Sequence, residues 1–597
     1  MIHEGRDKFT FRLADPARSS GLPARQWRCE LARPDSVLLP AKEDCLSLLD
    51  HFLHTSHFLP LTIHLPSARS TIGDICSSGL DNDEPAPVKM AKAAFTLSIC
   101  AMSAFCWEKS DATACPLFNS TEDAVRQARV WLRATWDLLD RLRWGPCSGS
   151  FLEVQASMNL GDLIYNIEGC SSRYRYLHSH TISIAHEISL HLIDAPSLRR
   201  NTEDNHLTEV KRRVWWHIAS TNWLLSVMGG PHDRTYTIQP HHMAVNFPAN
   251  VNENDPFAPV PMTTATDMTY FILRTRLAEV CRKVADALPL GTGDIDELPY
   301  GCVLSISRLF DEVFASIPPC FQLNASIPPD APPTTSIERR VIHLAFHARR
   351  ARIFRPFLHP KAHQSMDQRL GQFRSLCLRS ARSVIEIAST LVRQGLSDGR
   401  TRSQCSGTVI SHLFIACVVL FTHPVLAATG NASEEPDPEA EVIRGELADA
   451  RQLLERAAEV SPITGNLVNK LANVLRRHRS LLAVPAQGPP SGDPQTNGAF
   501  AGISVNEAGH PFHQGIDAPG SCPLLGPSFL PDKVDQHGLF GDAPQDGFGN
   551  GLDFSGGQEN DNRLVLDSIE WPDLTMIDND GWGQIFADLD PSFAAPL

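Results

Sequence analysis

Glu209-Val-Lys-Arg-Arg-Val-Trp-Trp-His-Ile-Ala-Ser-Thr-Asn-Trp-Leu-Leu-Ser-Val-Met-Gly-Gly-Pro231 is the stretch from which the fold can be read. Leu207, Val210, Val214, Ile218, Leu225 and Met228 recur at three-, four- and seven-residue spacing, the pattern of one apolar helix face. Trp215, Trp216 and Trp223 widen that face, which places the helix deep in the protein. Lys211, Arg212 and Arg213 form a basic cluster in its first turns and read as a charged rim on a buried helix. Gly229, Gly230 and Pro231 end it, because glycine permits a left-handed stop and proline forbids continuation. The run from Tyr236 onward reads as extended and closes at Pro248.

Similar helical patterns continue on both sides with almost no β-alternation. Leu46, Leu49 and Leu53 share a face, and Met90–Trp107 is a near-continuous apolar helix. Thr121 caps a helix running to Leu142, and further stretches cover Asn159–His191, Thr263–Ala287, Cys302–Ile317, Ser336–Phe354 and Arg369–Arg393. Val409–Phe421, Glu439–Val460 and Gly465–Leu482 complete the series. The predicted fold is all-α, a large irregular helical bundle or superhelix. The apolar run Val409–Phe421 has 13 residues, too few to span a bilayer, so no membrane association is expected.

Charge divides the chain. Its 597 residues carry a net charge of −15, and residues 488–597 hold 17 acidic side chains against only Lys533 and Arg563. That tail therefore accounts for the whole imbalance and leaves a neutral body, without the basic footprint of a compact nucleic-acid-binding domain. The tail also holds 17 Gly and 12 Pro, a composition that predicts disorder. Four segments follow: an N-terminal extension (1–38), a helical domain (39–485), a disordered Gly/Pro-rich linker (486–560) and an acidic-hydrophobic segment (561–597).

Catalytic and metal-binding patterns do not assemble. None of the 15 cysteines forms a C-x-x-C pair. His186 and His191 are five residues apart, which on a continuous helix turns them away from each other, and His343 with His347 reads as a structural helix face. There is no nucleophile elbow and no phosphate-binding glycine loop, so no catalytic, cofactor-binding or metal-binding residue is assigned, and the chain reads as a non-enzyme.

Arg212, Arg213, Trp215 and Trp216, then Gly229-Gly230-Pro231, then Phe247-Pro248, resemble the fungal-specific transcription factor domain, the middle homology region of fungal zinc-cluster regulators. Ala185–Asp194, Leu39–Phe52 and Arg349–Leu358 are similar to its other segments, so the resemblance covers about Leu39 to Leu482. Asn222 replaces a usual Asp and Gly230 a frequent Arg, which removes charge at the turn. The family's six-cysteine zinc cluster is not in these 597 residues, so zinc is expected only in a missing N-terminal module. Two explanations stand open: a start upstream of Met1, or a member without the cluster. The resemblance implies a nuclear regulator of RNA polymerase II genes, often of a metabolic or biosynthetic pathway. It also implies a dimer or zinc-cluster partner, DNA reached indirectly or through that missing module, and a small-molecule effector.

In the last segment Ile569, Trp571, Leu574, Trp582, Ile585 and Phe586 alternate with Asp567, Glu570, Asp573, Asp578 and Asp588. Acidic residues keep such side chains solvated and ready to fold onto a coactivator groove, the composition of an activation domain. A transcriptional cofactor without its own DNA binding, and a helical enzyme with an unrecognised site, are the competing readings.

Overall fold

A computed structural model describes, with short gaps, residues 36–428, together with residues 10–13 and single positions between 442 and 453. The described chain is all-α apart from one parallel strand pair, β1 (Thr10–Leu13) and β2 (Ser36–Leu39). Four-residue strands are too short to show a two-residue period, which is why the sequence did not announce them.

The first helices are α1 (Lys42–Thr55), α2 (Leu65–Ser77), α3 (Ala86–Cys106), α4 (Thr121–Arg143), α5 (Phe151–Glu168) and α6 (Ser172–Glu187). Apolar α3 lies at their centre, packed on α1, α4 and α5. It is long and apolar enough to cross a bilayer, but 78% of its apolar window is buried, as in the core helix of a globular domain. α4 packs Trp131, Leu132 and Leu139 inward, with Glu122 and Asp123 in its first turn and Arg141 and Arg143 in its last, charges that suit the helix dipole. Its cap is Ser120, whose hydroxyl accepts from the Asp123 amide at 3.2 Å, one residue before the expected Thr121.

The remaining helices are α7 (Asn205–Leu225), α8 (Thr269–Ala287), α9 (Tyr300–Ala315), α10 (Thr335–Phe354), α11 (Gly371–Asp398) and α12 (Gly407–Ala428). Two hydrophobic clusters gather the buried side chains among the described residues. One centres on Phe52, Phe95, Trp107 and Leu163, the other on Trp215, Phe271, Phe310, Phe354 and Leu413. α12 lies close against α5: the Gly407 amide donates to Asn166 Oδ1 at 2.8 Å, and a Cβ there would lie 2.8 Å from the Tyr165 carbonyl oxygen.

Asn159–His191 is two helices rather than one. Gly169 takes φ 69°, and Ser171 starts the next helix by accepting from the Tyr174 amide at 3.2 Å. α2 and the start of α5 escaped the periodicity reading, and the expected Thr263 start is six residues of turn before α8. Gly465–Leu482, the 486–560 linker and the 561–597 segment lie outside the described residues, as does most of Glu439–Val460.

Candidate regulatory site

The motif residues of α7 meet the segment after α6 and the extended run toward Pro248. Arg212 donates in a fork to Asp194, Nε to Oδ2 at 2.8 Å and Nη2 to Oδ1 at 2.6 Å, and Nη1 reaches Glu209 at 3.1 Å. Asp194 also accepts from the Asn246 amide at 2.8 Å, so one carboxylate ties three segments together. These hydrogen bonds, Asp194 first, raise the Arg212 pKa further above its ordinary value.

Arg213 corrects the rim reading, because its side chain is 0% exposed. It contacts Glu253, approaches Glu209 Oε1 at 3.5 Å and donates to the Leu61 carbonyl at 3.3 Å. It is an internal strut between α7, the turn Leu59–Thr62 and the loop carrying Glu253. A heptad pattern shows which face of a helix an arginine occupies, not which distant carboxylates will enclose it.

The tryptophans are core residues with polar tips. Trp216 Nε1 donates to the Asn246 carbonyl at 2.8 Å, and Trp223 Nε1 to the Ile238 carbonyl at 2.9 Å. Asn222 Oδ1 accepts from the Thr237 and Ile238 amides at 2.9 and 3.0 Å. The position where the resembled family usually carries Asp thus works here as a neutral loop cap. Pro248 is buried at the end of the run, whereas Gly229, Gly230 and Pro231 lie outside the described residues, as do Ile569, Trp571, Leu574, Trp582, Ile585 and Phe586.

Trp215 packs edge-on to His186 at 5.4 Å and lies 5.8 Å from His191. Those two rings are only 4.5 Å apart, contrary to the helical-wheel expectation, because α6 stops at Glu187 and Ser189 turns the chain with φ 56°. Among the described residues no group of three or more His, Cys, Asp or Glu side chains is arranged to hold a metal ion. The described cysteines are free thiols, mostly in the core, and burial pushes Cys281 up to about 11 and Cys417 to about 12. They do not fit a binuclear zinc cluster.

Sequence reasoning missed a polar cluster in the interior of the body. Asp162 of α5, Tyr174 and His178 of α6, His217 and Thr221 of α7, and Tyr270 and Arg274 of α8 converge there. Arg274 Nη2 donates to Thr221 Oγ1 at 2.7 Å, and His217 Nε2 stands 3.9 Å from Asp162 Oδ2. Asp162 keeps 20% of its side-chain surface exposed, while its Oδ2 is shut away from solvent. The available signal was a lone ionisable residue among apolar neighbours, as in Leu160-Gly-Asp-Leu-Ile164.

Burial pushes Asp162 up to about 7 and Glu338 up to about 8. It pushes His178 and His347 down to about 3 and holds His217 and His412 well below the ordinary imidazole value. Above pH 6.5 the unfolded histidines are already neutral, and these carboxyls lose protons that the unfolded chain shed at lower pH. Stability therefore falls as pH rises through 7 and 8. Below 6.5 the unfolded histidines take up protons that the native rings refuse, and stability falls as pH falls. Asp162→Asn removes one alkaline contribution. Its stability relative to the parent should improve by roughly 2 kcal/mol between pH 5 and pH 8 in urea unfolding. An unchanged difference at the two pH values contradicts this assignment.

A two-cluster helical body, with its Arg-Arg-x-Trp-Trp helix (Arg212–Trp216) locked to the extended run that follows, defines a domain of the fungal transcription factor class. Residues 49–287 match the model of the fungal specific transcription factor domain. The chain is 31% identical over 498 residues to the probable transcription factor lepB of Aspergillus flavus, covering 79% of this chain and 83% of that protein. It is 30% identical over 489 residues to transcription factor TAS2 of Pyricularia oryzae, and 26% over 466 residues to the agnestins biosynthesis cluster transcription factor AgnL11 of Paecilomyces divaricatus. Each of these two alignments covers 75% of this chain, but only 61% of TAS2 and 64% of AgnL11. The chain belongs to the fungal-specific transcription factor family.

Proposed function

We propose that this protein regulates RNA polymerase II genes in the nucleus, with the helical body governing an activation segment at residues 561–597. Its targets are the genes of a biosynthetic or other metabolic pathway, and the name of AgnL11 supports that choice. The carrying observation is the lock at Asp194, which ties α7 to the segment after α6 and to the extended run toward Pro248. The reading is therefore of a control module, not an enzyme. A small molecule seated at the interior polar cluster is its effector. The body's neutral charge supports DNA contact through a zinc-cluster partner or an N-terminal zinc module rather than through the helices, and the same observation favours the second reading, a cofactor working through such a partner.

Fusing residues 561–597 to a heterologous DNA-binding domain tests the output. Reporter expression is expected, with most of it lost on Trp571→Ala plus Trp582→Ala. A silent fusion, or one indifferent to both substitutions, removes the activation segment from the account.

A further inference from the structure

We infer that a ribbon of stacked arginine and aromatic side chains on the exposed face of α4 and α6 is the docking surface for residues 570–597 of the same chain. The inference rests on the reading above that the body governs the activation segment, and it gives that control a place.

The ribbon begins at the end of α4. The Arg143 guanidinium lies 4.5 Å from the ring centre of Trp144 and 4.8 Å from that of Tyr176 on α6. The Tyr176 ring is 6.1 Å from Trp136, and the Arg173 guanidinium covers Trp136 at 5.0 Å. Trp144 is 73% exposed, the most open large apolar side chain among the described residues, and Tyr176 is 40% exposed. By contrast, Trp107, Trp131, Trp215, Trp216 and Trp223 are all buried. Trp, Tyr and Arg are the side chains that carry most of the binding energy at protein interfaces. Stacking holds these in place beforehand, so little side-chain freedom is left to lose when something binds.

Charge selects the occupant. Arg126, Arg129 and Arg133 are exposed and lead up to Trp136 at three- and four-residue spacing, along one face of α4. From Arg126 to Arg143 the helix carries five arginines against Asp137 and Asp140. The pairs Arg133–Asp137 at 3.1 Å and Arg143–Asp140 at 3.8 Å lie open to solvent and hold these side chains only weakly. Residues 570–597 are the complement: six carboxylates, no Lys or Arg, and Trp571, Trp582 and Phe586 between the acids. Their carboxylates suit the outer N–H edges of the arginines, and their rings suit Trp144 and Tyr176. Residues 454–569 reach roughly 380 Å at full extension, so the segment can approach any face of the body. Tethering supplies an effective concentration of order 1 mM, which fills a site of about 0.1 mM affinity to about nine-tenths. A docked segment hides the aromatic side chains that a coactivator needs.

Short-pulse hydrogen exchange on the full chain tests this, with a synthetic peptide of residues 570–597 as the undocked reference. Amides of Trp571–Phe586 should exchange about tenfold more slowly in the chain than in the peptide, and equally so after tenfold dilution of the protein. Arg143→Glu with Trp144→Ala should return them to the peptide's rates while the amides of α3 keep the parent's protection, which shows that the body is still folded. Should α3 lose protection in that variant, Trp144→Ala alone, a change at an exposed side chain, is read in its place and should remove at least half of the slowing. Peptide-like rates in the parent overturn the docking and leave the ribbon to a separate acidic protein or a single-stranded nucleic acid. Slowing that survives the substitutions overturns the surface, and slowing that fades on dilution overturns the intramolecular contact in favour of a second copy. Exchange requires no reporter. Peptide-like rates beside an active 561–597 fusion remove only the docking, and a docked segment beside a silent fusion removes only the activation reading.

Discussion

Arg213→Ala should cost the helical body about 3–5 kcal/mol, the usual loss when one partner of a buried charge network is deleted. Its guanidinium is sealed between Glu209, Glu253 and the Leu61 carbonyl, so truncation opens a cavity and leaves that carbonyl without its donor. Glu253, with 36% of its side chain exposed, can recover water, which sets the upper limit on the loss. Arg213→Lys should rescue little, because an ammonium is more strongly hydrated than a guanidinium and so costs more to bury at a side chain with no exposure. Arg212→Ala should cost less, since Arg212 is partly open to solvent. Urea unfolding of the full chain checks the order. A loss below about 1 kcal/mol at Arg213 would restore the charged-rim interpretation.

Trp223→Ala should cost a comparable 3–5 kcal/mol, roughly what large-to-small changes of buried aromatic residues remove. The indole is buried, packs edge-on to Trp216 at 6.0 Å and donates to the Ile238 carbonyl. Truncation removes the packing and the bond together, and leaves the Asn222 cap and the Tyr236–Asp286 hydrogen bond to hold the start of the extended run. Trp223→Phe keeps most of the ring volume and should lose roughly half as much or less. Limited proteolysis gives a second readout, as residues 237–248 should become more readily cleaved in the Ala variant. Unchanged urea stability and cleavage would mean that the run is held by other contacts.

The sequence revealed the parts of the fold that repeat along one helix. α7, its apolar face and its three core tryptophans follow from spacing and bulk. What stayed hidden depends on residues far apart in the chain. Arg213 meets Leu61 across 152 positions, and Arg274 meets Thr221 across 53. Single backbone events were equally silent. The left-handed Ser189 brings His186 onto His191, and Gly169 splits one expected helix into two. Ionisable residues inside apolar helices, such as Asp162 and Arg349, showed only as isolated interruptions of a pattern. Their meaning comes from what other helices do, or do not, place beside them.

The central claim is that a helical control body and an acidic-hydrophobic output segment work in one chain. Its most direct test compares reporter activation by the whole chain fused to a heterologous DNA-binding domain, the same fusion lacking residues 561–597, and residues 561–597 alone. The account predicts no activation without the segment, and stronger activation by the segment alone than by the whole chain. Full activation by the fusion lacking 561–597, or equal activation with and without the helical body, would contradict it.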